Sequence, residues 1–138
     1  MDTLTKTERS ERMSRVRSKD TQPELAVRGM TFAMGFRYRL HNRRLPGSPD
    51  LVFPARKKVI FVHGCFWHRH GTRCHLTRWP KSRLEFWKAK LEENHRRDEK
   101  NKRRLRAAGW KHLVIWECQL REPKKIASRI QQFLEAST

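Results

Sequence analysis

Negative charge is scarce in this sequence: 14 Asp and Glu stand against 33 Lys and Arg in 138 residues, a formal net charge of +19. Self-repulsion on that scale opposes the compact state, so the imbalance points to a polyanionic partner whose neutralised phosphates release counterions. Long apolar runs are also missing. None exceeds the length of Val59 to Val62, far short of the roughly 20 residues that span a bilayer. The opening segment MDTLTKTERSERMSRVRSKD has no apolar stretch of the secretory kind. No basic helix carries the broad apolar face of a membrane-surface binder. These absences exclude a membrane partner and predict a cytoplasmic, nucleoid-associated protein. Cysteine is sparse and odd in number, with only Cys65, Cys74 and Cys118. Without a signal peptide this argues against a disulfide framework and for a metal. Neither an internal repeat nor a second domain is evident at this length.

Residues 1–20 are basic and nearly devoid of apolar positions apart from Met13 and Val16, which predicts an N-terminal arm ahead of a single domain over 21–138. Thr21-Gln22-Pro23-Glu24 has the form of a capping box opening a helix. Leu25, Gly29, Phe32, Ala33 and Phe36 share one face of it, and Gly35 is placed to end it. Phe36 to Leu40 alternates with period two and predicts a half-buried strand. Leu51 to Phe53 and Val59 to Val62 are short buried strands joined by the polar turn Pro54 to Lys58. The stretch from Gly64 to Pro80 has neither helical nor strand period. Ser82-Arg83-Leu84-Glu85 is a second capping-box pattern, opening a long helix with Leu84, Trp87, Leu91 and Leu105 on one stripe and Gly109 after its end. Trp110 to Trp116 predicts another strand, and Pro123 opens a last amphipathic helix through Ile126, Ile130, Phe133 and Leu134. Helix, three strands, helix, strand, helix is the order of an α/β sandwich with a mixed central sheet flanked by helices.

Cys65, His70, Cys74 and Cys118 supply four soft or borderline ligands, the number a closed, structural zinc site takes. His68 and His75 are alternative fourth ligands. Asp50 opens an apolar strand directly after Pro49, as a turn aspartate or as a hard ligand. If Phe53 pairs with Val59, Asp50 falls opposite Val62, and its carboxylate shares one sheet end with the Val62–His63 backbone. Hard oxygen ligands at such an end suit Mg²⁺ facing a phosphate. Asp98 lies seven residues from both Leu91 and Leu105, on the buried stripe. A carboxylate there needs a partner. His68 would make it a proton-transferring pair, whereas one of the helix's arginines would make it a plain salt bridge. Glu24 either accepts a backbone N–H as part of the capping box or faces the metal.

LPGSPD (45–50), VIFVHGCFWHRH (59–70), EFW (85–87) and GWKHLVIWEC (109–118) closely resemble the very short patch repair endonucleases. The resemblance implies a restriction-endonuclease-like core, a structural zinc and Mg²⁺-dependent nicking at T:G mismatches left by 5-methylcytosine deamination. Carried over by position, Asp50 resembles the metal-binding aspartate and Val62 the residue whose carbonyl binds metal. His68 resembles the catalytic histidine with Asp98 its partner, and Glu24 and His63 the polar groups around the metals. Cys65, His70, Cys74 and Cys118 match the zinc ligands. Phe66, Trp67 and Trp87 match aromatics that wedge into the base stack, with Met13 as an inserted N-terminal residue. Trp87 also fits the core stripe. The pattern is departed from at Val62, where the best-known form has threonine, and in the His70–Cys74 spacing. The implied partner is duplex DNA bearing the mismatch, with mismatch-repair proteins as further candidates and a monomer as the acting form. A zinc-stabilised DNA-binding module without catalysis would share the charge, thiols and aromatics. It leaves Asp50 and Asp98 without a task. A restriction-type endonuclease on the same core would keep every catalytic residue and change only the substrate.

Overall fold

The computed structural model describes residues 20–68, 74 and 80–136, and of Trp67 the backbone alone. The arm expected over 1–20 therefore lies outside the described residues apart from Asp20, and so do Met13, His70 and His75. The elements in chain order are α1 (Gln22–Ala33), β1 (Arg39–Leu40), β2 (Leu51–Phe53), β3 (Lys58–His63), α2 (Cys65–His68), α3 (Leu84–Ala107), β4 (Lys111–Trp116) and α4 (Pro123–Glu135). The sheet runs β1-β2-β3-β4. The first two pairings are antiparallel and the β3–β4 pairing is parallel, so the sheet is mixed, as expected from a chain that inserts a long helix between its third and fourth strands.

Each face of the sheet has its own packing. Leu51, Phe53, Ile60 and Ile115 meet Val27 of α1 and Ile126, Ile130 and Leu134 of α4 on one face. Val52, Val59 and Phe61 meet Leu105 of α3 on the other. Alternation along β2 and β3 thus sends successive side chains into different cores, which is why both strands read as continuous apolar runs. Lys58, at the start of β3, is fully buried. Its ammonium donates to the carbonyls of Phe133 and Ala136, each at 2.7 Å, satisfying orphan acceptors at the end of α4.

Several expectations are corrected. α1 buries Glu24, Val27 and Thr31, while Leu25 and Phe32 are 43% and 54% exposed. The apolar residues chosen for the buried face lie largely on the other side, because the helix turns a carboxylate inward. The first strand is only Arg39–Leu40, and Phe36 and Tyr38 pack beneath the sheet edge instead. Between β2 and β3 the chain makes a 3-10 turn, Pro54–Arg56, followed by Lys57 in the left-handed region. That four-residue connection sets Phe53 opposite Lys58 rather than Val59, a register one residue off the expected one. A one-turn helix, Cys65–His68, interrupts the stretch that showed no period. α3 starts without its capping box: Arg83 is the N-cap, left-handed, with no side-chain bond to the helix, and Leu84 is 45% exposed. Leu91 and Leu105 are buried as expected, with Asn94 between them.

Candidate active site and cysteine cluster

The site forms where β3 ends. Asp50 immediately precedes β2, and its Oδ2 accepts the Val62 N–H at 2.7 Å despite the shifted register. Gly47 determines how the chain reaches it. Gly47 has φ +81°, and an added Cβ would come within 3.1 Å of Phe61 and 3.2 Å of Asn101 on α3. Only glycine lets this loop lie flat between sheet and helix.

Across from Asp50 stands Glu24, 2% exposed and hydrogen-bonded to the Asp50 carboxyl. Its Oε2 accepts the Asp20 N–H and the Arg28 guanidinium, and its Oε1 meets His41 Nε2, each at 2.6 Å. Burial raises the Asp50 pKa to about 8, aided by the hydrogen bond and charge of Glu24 and opposed by the Val62 amide. Burial acts on Glu24 in the same sense, but its hydrogen bonds from Asp50, His41 and Asp20 outweigh it and hold its pKa below the ordinary value. Asp50 is therefore the member that keeps a proton near neutrality, and Glu24 carries the charge.

The adjoining residue, His63, is buried and stacks on His68, with ring centroids 3.8 Å apart and planes within 6°. Trp116 meets His63 edge-on at 5.2 Å. Burial pushes the His63 pKa well down, helped by nearby His68 and Lys102, so the ring is neutral. Its Nδ1 has no hydrogen-bond partner among the described residues. His68 Nδ1 meets Asp98 Oδ2 at 2.5 Å. With the carboxylate as acceptor, Nδ1 is the donor, and in the tautomer this favours Nε2 is the accepting nitrogen. Among the described residues Asp98 thus takes the histidine, not an arginine, as its partner. One chain of contacts runs from Glu24 through Asp50, the Val62–His63 backbone and His68 to Asp98.

Beside α2, the Sγ atoms of Cys65, Cys74 and Cys118 lie within 4.8 Å of one another. The Cys118 N–H donates to Cys65 Sγ at 3.4 Å, joining the start of α2 to the turn after β4. Burial pushes both thiols' pKa up, a cost that a soft cation would reverse by taking thiolates as ligands. The three sulfurs fit zinc. His68, an alternative fourth ligand, has its Nδ1 on Asp98, outside this cluster. Phe66 and Trp87 meet edge-on at 6.0 Å. The Trp67 side chain lies outside the described residues.

His41 and Arg28 were not foreseen. His41 stands 17 residues from Glu24 in sequence, and its only signal was that a buried glutamate needs cationic or hydrogen-bonding company.

The family model described as DNA mismatch endonuclease Vsr matches residues 1–75. A protein of Xanthomonas oryzae pv. oryzae named type II nicking enzyme V.XorIIP is 46% identical over 136 residues, 99% of this chain and 98% of that protein. One of Neisseria meningitidis serogroup A, named type II nicking enzyme V.NmeAIP, is 40% identical over 133 residues, 96% of this chain and 94% of that protein. The protein of Escherichia coli (strain K12) named DNA mismatch endonuclease Vsr is 38% identical over 125 residues, 91% of this chain and 79% of that protein.

Proposed function

The chain belongs to the Vsr family of DNA mismatch endonucleases, and from that premise we propose that it nicks one strand of duplex DNA beside T:G mismatches in a Mg²⁺-dependent hydrolysis. The observation that carries this reading is the continuous run of contacts from the Glu24–Asp50 carboxyl pair to the His68–Asp98 pair. A DNA-binding module has no use for a buried carboxyl pair next to an oriented imidazole.

Asp50, with Glu24 beside it and the Val62 carbonyl at the strand end, offers the hard oxygen donors that suit Mg²⁺. The cation, when bound, supplies Lewis-acid polarisation of the scissile phosphodiester and neutralises charge developing there. The protein's own groups do the rest. Asp98 holds His68 in the tautomer whose Nε2 accepts, and His63 holds the ring flat by stacking, so Nε2 can take a proton from an attacking water. His41 and Arg28 hold Glu24 ionised next to Asp50. Cys65, Cys74 and Cys118, with His70, would hold a structural zinc that stiffens the segment carrying Phe66 and Trp67. Those two rings, Trp87 and Met13 are the proposed wedge into the mismatched step, since a wobble pair unstacks more readily than a Watson–Crick pair. Residues 21–138 are read as one nuclease domain, acting in the cytoplasm as a monomer. Among the described residues no helix is long and apolar enough to cross a membrane.

The test is cleavage of end-labelled duplexes that differ only in one pair, T:G against T:A and C:G, with Mg²⁺ or with chelator. A single-strand nick confined to the T:G duplex and lost with chelator is expected. Equal cleavage of matched duplex would favour a restriction-type enzyme on the same core. Binding without any cleavage would leave only the DNA-binding module.

A further inference from the structure

The first turns of α3 carry an aromatic side chain that the core does not use. Phe86 is 45% exposed, and its neighbours are unusual for a surface phenylalanine. The Trp87 ring meets it edge-on at 5.3 Å. The Arg83 guanidinium lies over it, 4.4 Å from its centroid, and Lys90 Nζ stands 5.8 Å from the centroids of both Phe86 and Trp87. Neither cation takes a carboxylate partner among the described residues. Through Trp87 and Phe66 the rings form a line from α2, next to the cysteine cluster, to the solvent-facing edge of α3.

We propose that Phe86, flanked by Arg83 and Lys90, is a strand-holding plate: its ring takes the face of an unpaired base while the two cations take the neighbouring phosphates. The chemistry identifies the occupant. A half-exposed ring with two cations close over it matches a nucleotide, which is a flat π surface bound to an anion, and the net charge of +19 biases the whole surface toward polyanions. Paired bases have both faces covered by their neighbours, so a protein ring can stack only where the duplex is opened. Phe86 is therefore assigned to the opened strand and not to the intact helix. The proposal rests on DNA being the partner. It is independent of whether the chain cuts.

Binding separates the two. Labelled duplex and the same duplex with a three-nucleotide central bubble are titrated by fluorescence anisotropy in chelator, where no cleavage occurs. Phe86→Ala should weaken bubble binding about tenfold, within the range of one base–aromatic stack, with matched-duplex affinity little changed. Phe86→Trp should restore it. Arg83→Ala and Lys90→Ala should weaken both probes alike, each lowering the slope of log K against log salt by about 1. Should Phe86→Ala lower Tm, Phe86→Leu carries the test, since it keeps apolar bulk without the flat face. Unchanged bubble affinity in a folded variant, or an equal loss on both probes, overturns the proposal. Phe86-dependent bubble binding by a protein that nicks no duplex would sink the proposed function and leave this plate standing. Nicking at T:G with Phe86 silent would do the reverse.

Discussion

At the scale of single residues, the site depends on how one proton is shared. Asp50, with its pKa raised to about 8, is protonated in the metal-free fold at neutral pH, whereas in the unfolded chain it ionises near the usual value of about 4. A carboxyl whose pKa is raised on folding contributes stability that is complete below about pH 4. That contribution disappears as pH rises through 8. In chelator, Tm of the wild type should therefore fall relative to Asp50→Asn between pH 5 and 9, measured by calorimetry on both proteins. A parallel course of the two would place the proton elsewhere. Mg²⁺ binding below pH 8 should release a proton. His68→Ala should slow cleavage by about 10²–10⁴, the span of general acid–base catalysis, and Asp98→Asn should cost less because it removes only the orienting partner. Single-turnover rates distinguish them, and an Asp98→Asn defect larger than that of His68→Ala would contradict the assignment of roles.

At the scale of elements, the loop before β2 decides where Asp50 sits. Gly47→Ala should destabilise by about 2 kcal/mol or more, from the left-handed backbone and from crowding against Phe61 and Asn101. Thermal unfolding measures this, and a Tm equal to wild type would mean the loop can give way. The order of the main helices and strands was legible because apolar period and terminal signals agree, as with Pro123 and Gly109. The buried face of α1 was not legible. Glu24 takes an inward position, where His41 and Arg28 meet its carboxylate, whereas apolarity alone assigns inward positions to Leu25 and Phe32. The β2–β3 register was missed because one left-handed residue, Lys57, shortens the connection. The Asp98–His68 pairing could be argued from sequence, since a carboxylate on a buried stripe must have a partner. His41 and Phe86 had no comparable constraint: one is set by a contact distant in sequence, the other is a ring left at the surface.

For the whole molecule, charge and metal are separable contributions. Affinity for any duplex should fall steeply with salt, as expected when many phosphates are neutralised at once. The cysteine cluster joins α2 to the turn after β4, so Cys118→Ser should release the proposed zinc and lower Tm, read by metal analysis and calorimetry on the same sample. A zinc-free wild type with unchanged Tm would remove the metal from the account. The central claim is that the carboxyl pair and the histidine pair form one hydrolytic site, distinct from the surface that binds DNA. Single-turnover cleavage of T:G duplex by Asp50→Asn, with affinity measured in parallel, tests it most directly. The prediction is a rate at least about a thousandfold down, the loss of several kcal/mol of charge stabilisation, at nearly unchanged Kd. A wild-type rate, or a loss that comes entirely from weaker binding, would contradict it.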